Sequence, residues 1–210
     1  MKSYRVFIDV DKEEKWLNGQ ALQGHLLRRK TVWRYEFEQI DTQHSAYGKA
    51  VIRVDYRTFS NAEDFEDYRA LFEDSGWTHL SGTKSSGYQY FITYSADPSM
   101  DIFSDIDSRA GRYKRLAEMW LTVALGFLPL CFILFKNGYV DIFAFLEPKS
   151  LYYTPGLWEK SGLSFWRSFL IETPFALMRG FFWHLIALAL IASYYFYMKT
   201  RRQYSKTKSQ

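Results

Sequence analysis

The sequence predicts an α+β domain followed by a two-helix transmembrane hairpin, and three observations carry that expectation. Residues 116–135 and 180–198 form apolar stretches long enough to cross a bilayer as helices, since a hydrocarbon core of about 30 Å takes about 20 residues at the helical rise. Ahead of them, short runs rich in β-branched and aromatic residues alternate with segments that carry helix-capping signals. Basic residues gather beside both stretches. Arg109, Arg112, Lys114 and Arg115 precede the first, and Lys199, Arg201, Arg202, Lys206 and Lys208 follow the second.

Whole-chain averages hide this partition. A net charge of +4 and a mean hydropathy of -0.27 blend a polar front with an apolar back. Acidic residues outnumber basic ones through Arg112, so the basic excess lies at the membrane flanks. A pI of about 9.0 is compatible with nucleic-acid binding, but basic residues flanking hydrophobic spans report topology. No nucleic-acid partner is therefore expected. The positive-inside rule places both termini in the cytoplasm of a multi-pass protein of the cell (inner) membrane. In the outer connection, Lys149, Lys160 and Arg167 face Asp141, Glu147, Glu159 and Glu172, with no positive excess. Residues 1–10 are too charged for a secretory signal. Cys131 is the only cysteine, so neither an internal disulfide nor a cysteine-based zinc cluster is available.

Taken in order, residues 4–10 alternate as a strand, with Tyr4, Val6, Ile8 and Val10 on one face. Asp11 and Glu14 are spaced as a capping box for a short helix whose apolar side is Trp16, Leu17, Ala21 and Leu22, with Gly24 as its stop. Strands are expected over 31–40 and 46–57, joined by a polar turn at 41–45. Ser60 and Glu63 open a second helix that shows Phe65, Tyr68, Leu71 and Phe72 on one side and ends at Gly76. A hairpin follows, with strands at 77–81 and 88–94. One antiparallel sheet with two helices on a face is most simply ferredoxin-like. The expected boundaries are an α+β domain at 1–106, a juxtamembrane helix capped by Asp107 or Ser108 running into the first span at 107–135, and an aromatic amphipathic connection at 136–179. The second span takes 180–198 and a basic tail 199–210. Pro129 lies within the first span, where it removes one backbone hydrogen bond.

Glu14, Trp16, Leu17 and Asn18 with Gly24, then Tyr35, Phe37 and Glu38, then Asp55 and Tyr56, form a recognisable series. It continues through Tyr68, Leu71, Phe72, Glu73, Asp74, Gly76 and Trp77 to Asp105, Ser108, Arg109 and Tyr113. This series resembles the bacterial family known as domain of unknown function 2812, over roughly the first half of the chain. The family has no assigned activity and supplies no catalytic residues. Its members are often encoded beside PadR-like transcription regulators, so the resemblance implies a signalling or envelope-stress role.

The chemistry-bearing residues point in several directions. Asp97, Asp101, Asp105 and Asp107 are rich in carboxylates, but Ala110 and Leu116 stand where an EF-hand needs Gly and Glu; a solvated helix start is expected instead. His25, His44, His79 and His184 lack metal-ligand spacing. His184 falls within the second span, where an ionisable group suggests a site, and Glu118 or the first span is its expected contact. Arg28, Arg29, Lys30 and Arg34, with Trp33 and Tyr35, form a basic patch suited to anionic lipid. Walker, dinucleotide and hydrolase signatures are absent.

The expected function is that of a membrane-anchored cytoplasmic sensor or adaptor, with the bilayer and a protein (a regulator or a membrane complex) as partners. Neither cofactor nor metal is expected. Trp16, Trp77, Asp105 and Arg109 are the candidate partner or hinge surface. The alternatives are a subunit of a transport-type assembly, resting on His184 and Pro129, and an interfacial enzyme using Arg167 or Glu172.

Overall fold

Gly24 and Gly76 both adopt φ 82°, a conformation that a side chain disfavours, and each turns the chain out of a helix into a strand. In this computed structural model, which describes residues 1–40, 50–95, 97, 99–136 and 146–209, the two turns occupy equivalent places. The first half runs β1 (Lys2–Tyr4), α1 (Val10–Leu22), β2 (His25–Lys30) and β3 (Arg34–Gln39). The second runs β4 (Ala50–Tyr56), α2 (Glu63–Asp74), β5 (Thr78–Ser81) and β6 (Tyr88–Tyr94). Each half is a βαββ unit with an antiparallel three-stranded sheet, ordered β1-β3-β2 and β4-β6-β5. The register shifts between Leu27 and Arg29 in β2, and between His79 and Ser81 in β5. Both shifts fall at the same distance beyond their glycine.

The α+β class holds, but the strands divide into two sheets rather than one ferredoxin-like sheet. The missing piece was β2, whose Arg28, Arg29 and Lys30 break the apolar alternation that marks a strand. Helix starts also differ. Asp9 accepts a hydrogen bond from the Lys12 amide at 3.3 Å, so α1 begins at Val10 and the expected strand over 4–10 stops at Tyr4. Asn61, rather than Ser60, accepts from the Asp64 amide at 2.7 Å to start α2. The expected turn at 41–45, the start of the strand at 46–57, His44, Pro98, Phe143 and Phe145 lie outside the described residues.

The chain forms two compact units, Met1–Ala117 with Lys199–Gln210, and Glu118–Met198. In the first, Val51, Tyr68, Trp77, Phe91 and Ile102 form a core against which Phe59, Phe65, Phe72 and Phe103 pack. Trp16 meets Tyr35 and Phe37 edge-on at 4.9 and 5.6 Å. These rings fill thin layers with large apolar area.

Two long helices complete the chain, α3 (Ile106–Lys136) and α4 (Gly162–Lys208). Residues 162–179, expected as short amphipathic pieces, are continuous helix, and so are 199–208. Both helices are long and apolar enough to cross a membrane, and their most apolar windows are only 6% and 17% buried. Core helices of a soluble domain would hide that surface. Within the second unit, Trp120 of α3 meets Phe196 of α4 at 4.9 Å. The segment before α4 is ordered by short 3₁₀ turns at Pro148–Leu151 and Leu157–Glu159. Leu151 packs so closely on Gly180 that a Cβ there would lie 2.7 Å from Leu151 Cδ1. Arg179 pairs with Glu172 and donates to the Leu151 carbonyl at 2.7 Å.

Candidate binding site

β4 is an outer strand, and an outer strand exposes backbone groups that need partners. Side chains supply them here. Asn18 accepts from the Ile52 amide at 2.7 Å and donates to the Ile52 carbonyl at 3.0 Å. Glu14 accepts from the Val54 amide at 2.9 Å. From α3, Arg112 donates to the Val54 carbonyl at 2.9 Å and Arg115 to the Tyr56 carbonyl at 2.6 Å. The outward-facing groups of alternate residues along β4 are thus held by α1 on one side and α3 on the other.

Arg112 is the hub of this seam. It is 4% exposed and pairs with Glu14 at 2.5 Å and Asp11 at 2.9 Å. Asp11, Glu14 and Asn18 reach the seam together because their spacing puts them on one helical face. The Tyr113 hydroxyl accepts from Arg112 at 2.9 Å and donates to Asp11. Burial pushes the Glu14 carboxyl above the usual carboxylate range, opposed first by the Arg112 charge and then by the Val54 amide. Arg115 extends the network to Asp55 at 2.7 Å, and Asp55 also accepts from the buried Tyr68 hydroxyl at 2.9 Å.

Beside this seam lies a cavity of about 500 Å³, lined by Asp11, Glu14, Lys15, Arg53, Asp101, Arg109 and, from the end of α4, Gln203, Lys206 and Thr207. Lys199 to Asp9 at 3.5 Å and Lys208 to Asp107 at 3.6 Å hold that end of α4 to the domain. The walls carry both signs of charge and few apolar groups. Their chemistry suits a small polar ligand or a charged peptide segment rather than an apolar molecule.

In a second polar cluster Glu13, Tyr35 and Tyr90 are buried, and Lys30 and Tyr88 are partly so. Glu13 Oε1 accepts from the Tyr35 and Tyr90 hydroxyls at 2.6 and 2.7 Å and pairs with Lys30 at 3.1 Å. The Lys30 ammonium lies 4.5 Å from the Tyr88 ring centre and 5.2 Å from those of Tyr35 and Tyr90. Burial first, and the Glu13 charge second, raise the Tyr35, Tyr88 and Tyr90 phenols, so they remain hydrogen-bond donors. Tyr90 belongs to the second βαββ half and Glu13 to the first, so the cluster fastens the halves together. Its sequence signal was the alternation of Tyr88 and Tyr90 in one strand; nothing local marked Glu13.

The residues singled out from sequence disperse. Trp77 is buried in the aromatic core, while Trp16 is partly buried and packs on Tyr35 and Phe37 of the first sheet. Asp105 caps α3, accepting from the Ser108 amide and hydroxyl at 2.7 Å each, which holds its carboxyl below the usual range. That role had been expected of Asp107 or Ser108. Arg109 turns to Asp101 and lines the cavity. Of the expected membrane-flank residues, Arg112 and Arg115 are drawn into the domain, Lys199 reaches Asp9, and Lys114, Arg201 and Arg202 are exposed. The compact unit that holds the domain runs to Ala117 and includes Lys199–Gln210. Glu118 and His184 do not share a site. Trp120 is level with Phe196, and His184 lies about 18 Å further along α4 at the helical rise. The His184 ring centre lies 3.7 Å from that of its sequence neighbour Trp183. His79 meets Gln89 at 3.0 Å. The carboxylates of the 97–107 run engage separate partners, Ser99, Arg109, Ser108 and Lys208. Of the basic patch, Lys30 turns inward and Arg34 pairs with Glu36 at 2.8 Å, while Arg28 and Arg29 stay exposed.

A family model described as "Protein of unknown function (DUF2812)" matches residues 9–125, from α1 into the apolar part of α3. No curated protein and no solved structure matches the chain.

Proposed function

The chain belongs to the DUF2812 family of proteins of unknown function, and from that premise we propose that it is a membrane-anchored binding domain of the sensor or adaptor kind. The domain takes a polar ligand or a charged segment of a partner protein in the cavity beside Arg112. The helix carrying Arg112 continues without a break into the first apolar stretch. Both termini lie in the cytoplasm of a cell (inner) membrane protein, as the flanking basic residues predict. A signalling or envelope-stress setting is part of this reading.

One observation carries it. Arg112 touches the cavity, the β4 edge and two α1 carboxylates at once, so whatever enters the cavity competes for the bonds that fix α3. The interfacial-enzyme alternative is weakened because Glu172 is committed. It accepts from Thr154 at 2.7 Å and from the Tyr153 amide at 3.2 Å, and it pairs with Arg179. The transport-assembly alternative loses the proposed Glu118–His184 pair.

Photo-crosslinking in cells tests the proposal. A photoreactive amino acid replacing Lys15, which is exposed at the cavity rim, is expected to give a discrete adduct. Reversing the neighbouring charge with Arg109→Glu should abolish it. Adducts from positions in 118–198 but none from position 15 would favour the transport assembly and contradict the cavity as a binding site.

A further inference from the structure

The turn between β2 and β3 has the wrong polarity for water. Turns normally carry small polar residues, yet this one presents Val32 and Trp33. Beside them stand Tyr4 and Val6, and all four are between 65% and 74% exposed. The Arg5 amide donates to the Trp33 carbonyl at 3.2 Å, which places the two segments side by side. The turn itself is fixed rather than loose, because the Thr31 amide donates to the Arg34 carbonyl at 2.9 Å. Contiguous exposed apolar side chains of this kind mark an interaction surface.

The surroundings say what covers it. Arg5, Arg28 and Arg29 are exposed around the patch. Glu36 on the same sheet is neutralised by Arg34 at 2.8 Å, leaving Glu38 as the exposed acid of β3. The segment from Val6 leads within three residues to Asp9, which holds Lys199 at 3.5 Å. Lys199 is the residue that directly follows the apolar stretch 180–198 in sequence. Three extended residues span about 10 Å, so Val6 lies within about that distance of Asp9. A tryptophan among apolar neighbours, with Arg5 beside it and Arg28 and Arg29 exposed on the strand that leads into the turn, matches the headgroup layer of a membrane.

We infer that Tyr4, Val6, Val32 and Trp33, with Arg5, Arg28 and Arg29, form a second membrane contact that inserts into the headgroup layer of an anionic lipid surface. It rests on the membrane-anchored reading above and adds to it. The domain is held to the bilayer by lipid chemistry as well as by its helices, and its docking depends on lipid charge. Each basic side chain near an anionic surface contributes about a fivefold preference.

The test uses the full chain in lipid nanodiscs. A polarity-sensitive fluorophore is attached at Val32→Cys in a Cys131→Ser background, and its access to a water-soluble quencher is read in zwitterionic discs and in discs rich in phosphatidylglycerol. Shielding is expected only in the anionic discs, reversed by high salt and reduced about fivefold per charge removed in Arg28→Gln and in Arg29→Gln. These exposed conservative changes leave the fold intact, and the blue-shifted emission of the core tryptophans checks that. Equal quenching in both lipids overturns the inference. Equal shielding in both does so too, because a protein surface or a second copy then covers the patch. A chain that fails to incorporate into discs overturns the anchored reading, and this one with it.

Discussion

The two βαββ halves of the domain share strand order, glycine turn and register shift, yet their helices bury different chemistry. The second half closes over rings: Tyr68, Phe72, Trp77 and Phe91 pack within one cluster, and the acids of α2 stay in water. The first half buries charge. Glu13 and Lys30 are enclosed under tyrosines, and Asp11 and Glu14 leave α1 to meet Arg112. The difference teaches what each helix is for. α2 covers one sheet. α1 is a connector with two working faces, one holding the halves together through Glu13 and Tyr90, the other holding β4 to α3 through Asn18, Glu14 and Arg112.

The sharpest way to break this contrast is to remove one arginine from each half's network. Arg112→Met leaves the Glu14 carboxylate and the Val54 carbonyl without their partner, and a loss of about 3 kcal/mol is expected. Arg69→Met removes exposed pairs with Glu66 at 2.9 Å and Glu73 at 3.6 Å on α2, for about 0.5 kcal/mol. Denaturant unfolding of the full chain in detergent, followed by tryptophan fluorescence, compares them. Equal losses would erase the distinction between connector and cover.

A smaller effect tests the likeness of the halves rather than their difference. Gly24→Ala and Gly76→Ala each force a side chain into φ 82°, and each is expected to cost about 1 kcal/mol. At Gly76 no atom lies within 4 Å of the added Cβ, so the cost there is conformational. Clearly unequal losses in the same unfolding assay would mean that the two turns are not equivalent.

The smallest effect is a pH dependence that arises at His79 in the second half. His79 lies between the Phe65 and Phe91 rings, and burial lowers its imidazole pKa below the ordinary value near 6.5. The unfolded chain therefore binds the proton first. Stability is full above pH 6.5, declines as pH falls through the lowered pKa, and then levels off. His79→Phe should remove that decline from a series of melting curves, while Glu13→Gln should leave it in place.

Much of this arrangement was legible in the chain. Gly24, Gly76 and the alternating residues of β4 and β6 marked their elements directly, and the apolar stretches of α3 and α4 stood out by length alone. The halves' repetition was hidden by one strand, since Arg28, Arg29 and Lys30 in β2 read as a surface run. Charged residues were misjudged for the same reason in each case. Arg112 and Arg115 sit beside an apolar stretch, where the local pattern reports topology, but their partners Glu14 and Asp55 are distant in sequence. Local spacing cannot reveal that a basic residue is buried when its neutralising acid comes from another element. Trp77 illustrates the reverse, a residue prominent in sequence because it is large and placed in the core for that reason.

The seam along β4 can be examined directly by backbone hydrogen exchange on the full chain in detergent or nanodiscs. The amides of Ile52 and Val54 lie on an outer strand edge, and Asn18 and Glu14 are their acceptors. The account predicts that both amides exchange slowly, in step with the core of the domain, and that Arg112→Met or Asn18→Ala selectively accelerates them. Exchange of Ile52 and Val54 at the rate of an open strand edge in the unaltered chain would contradict it.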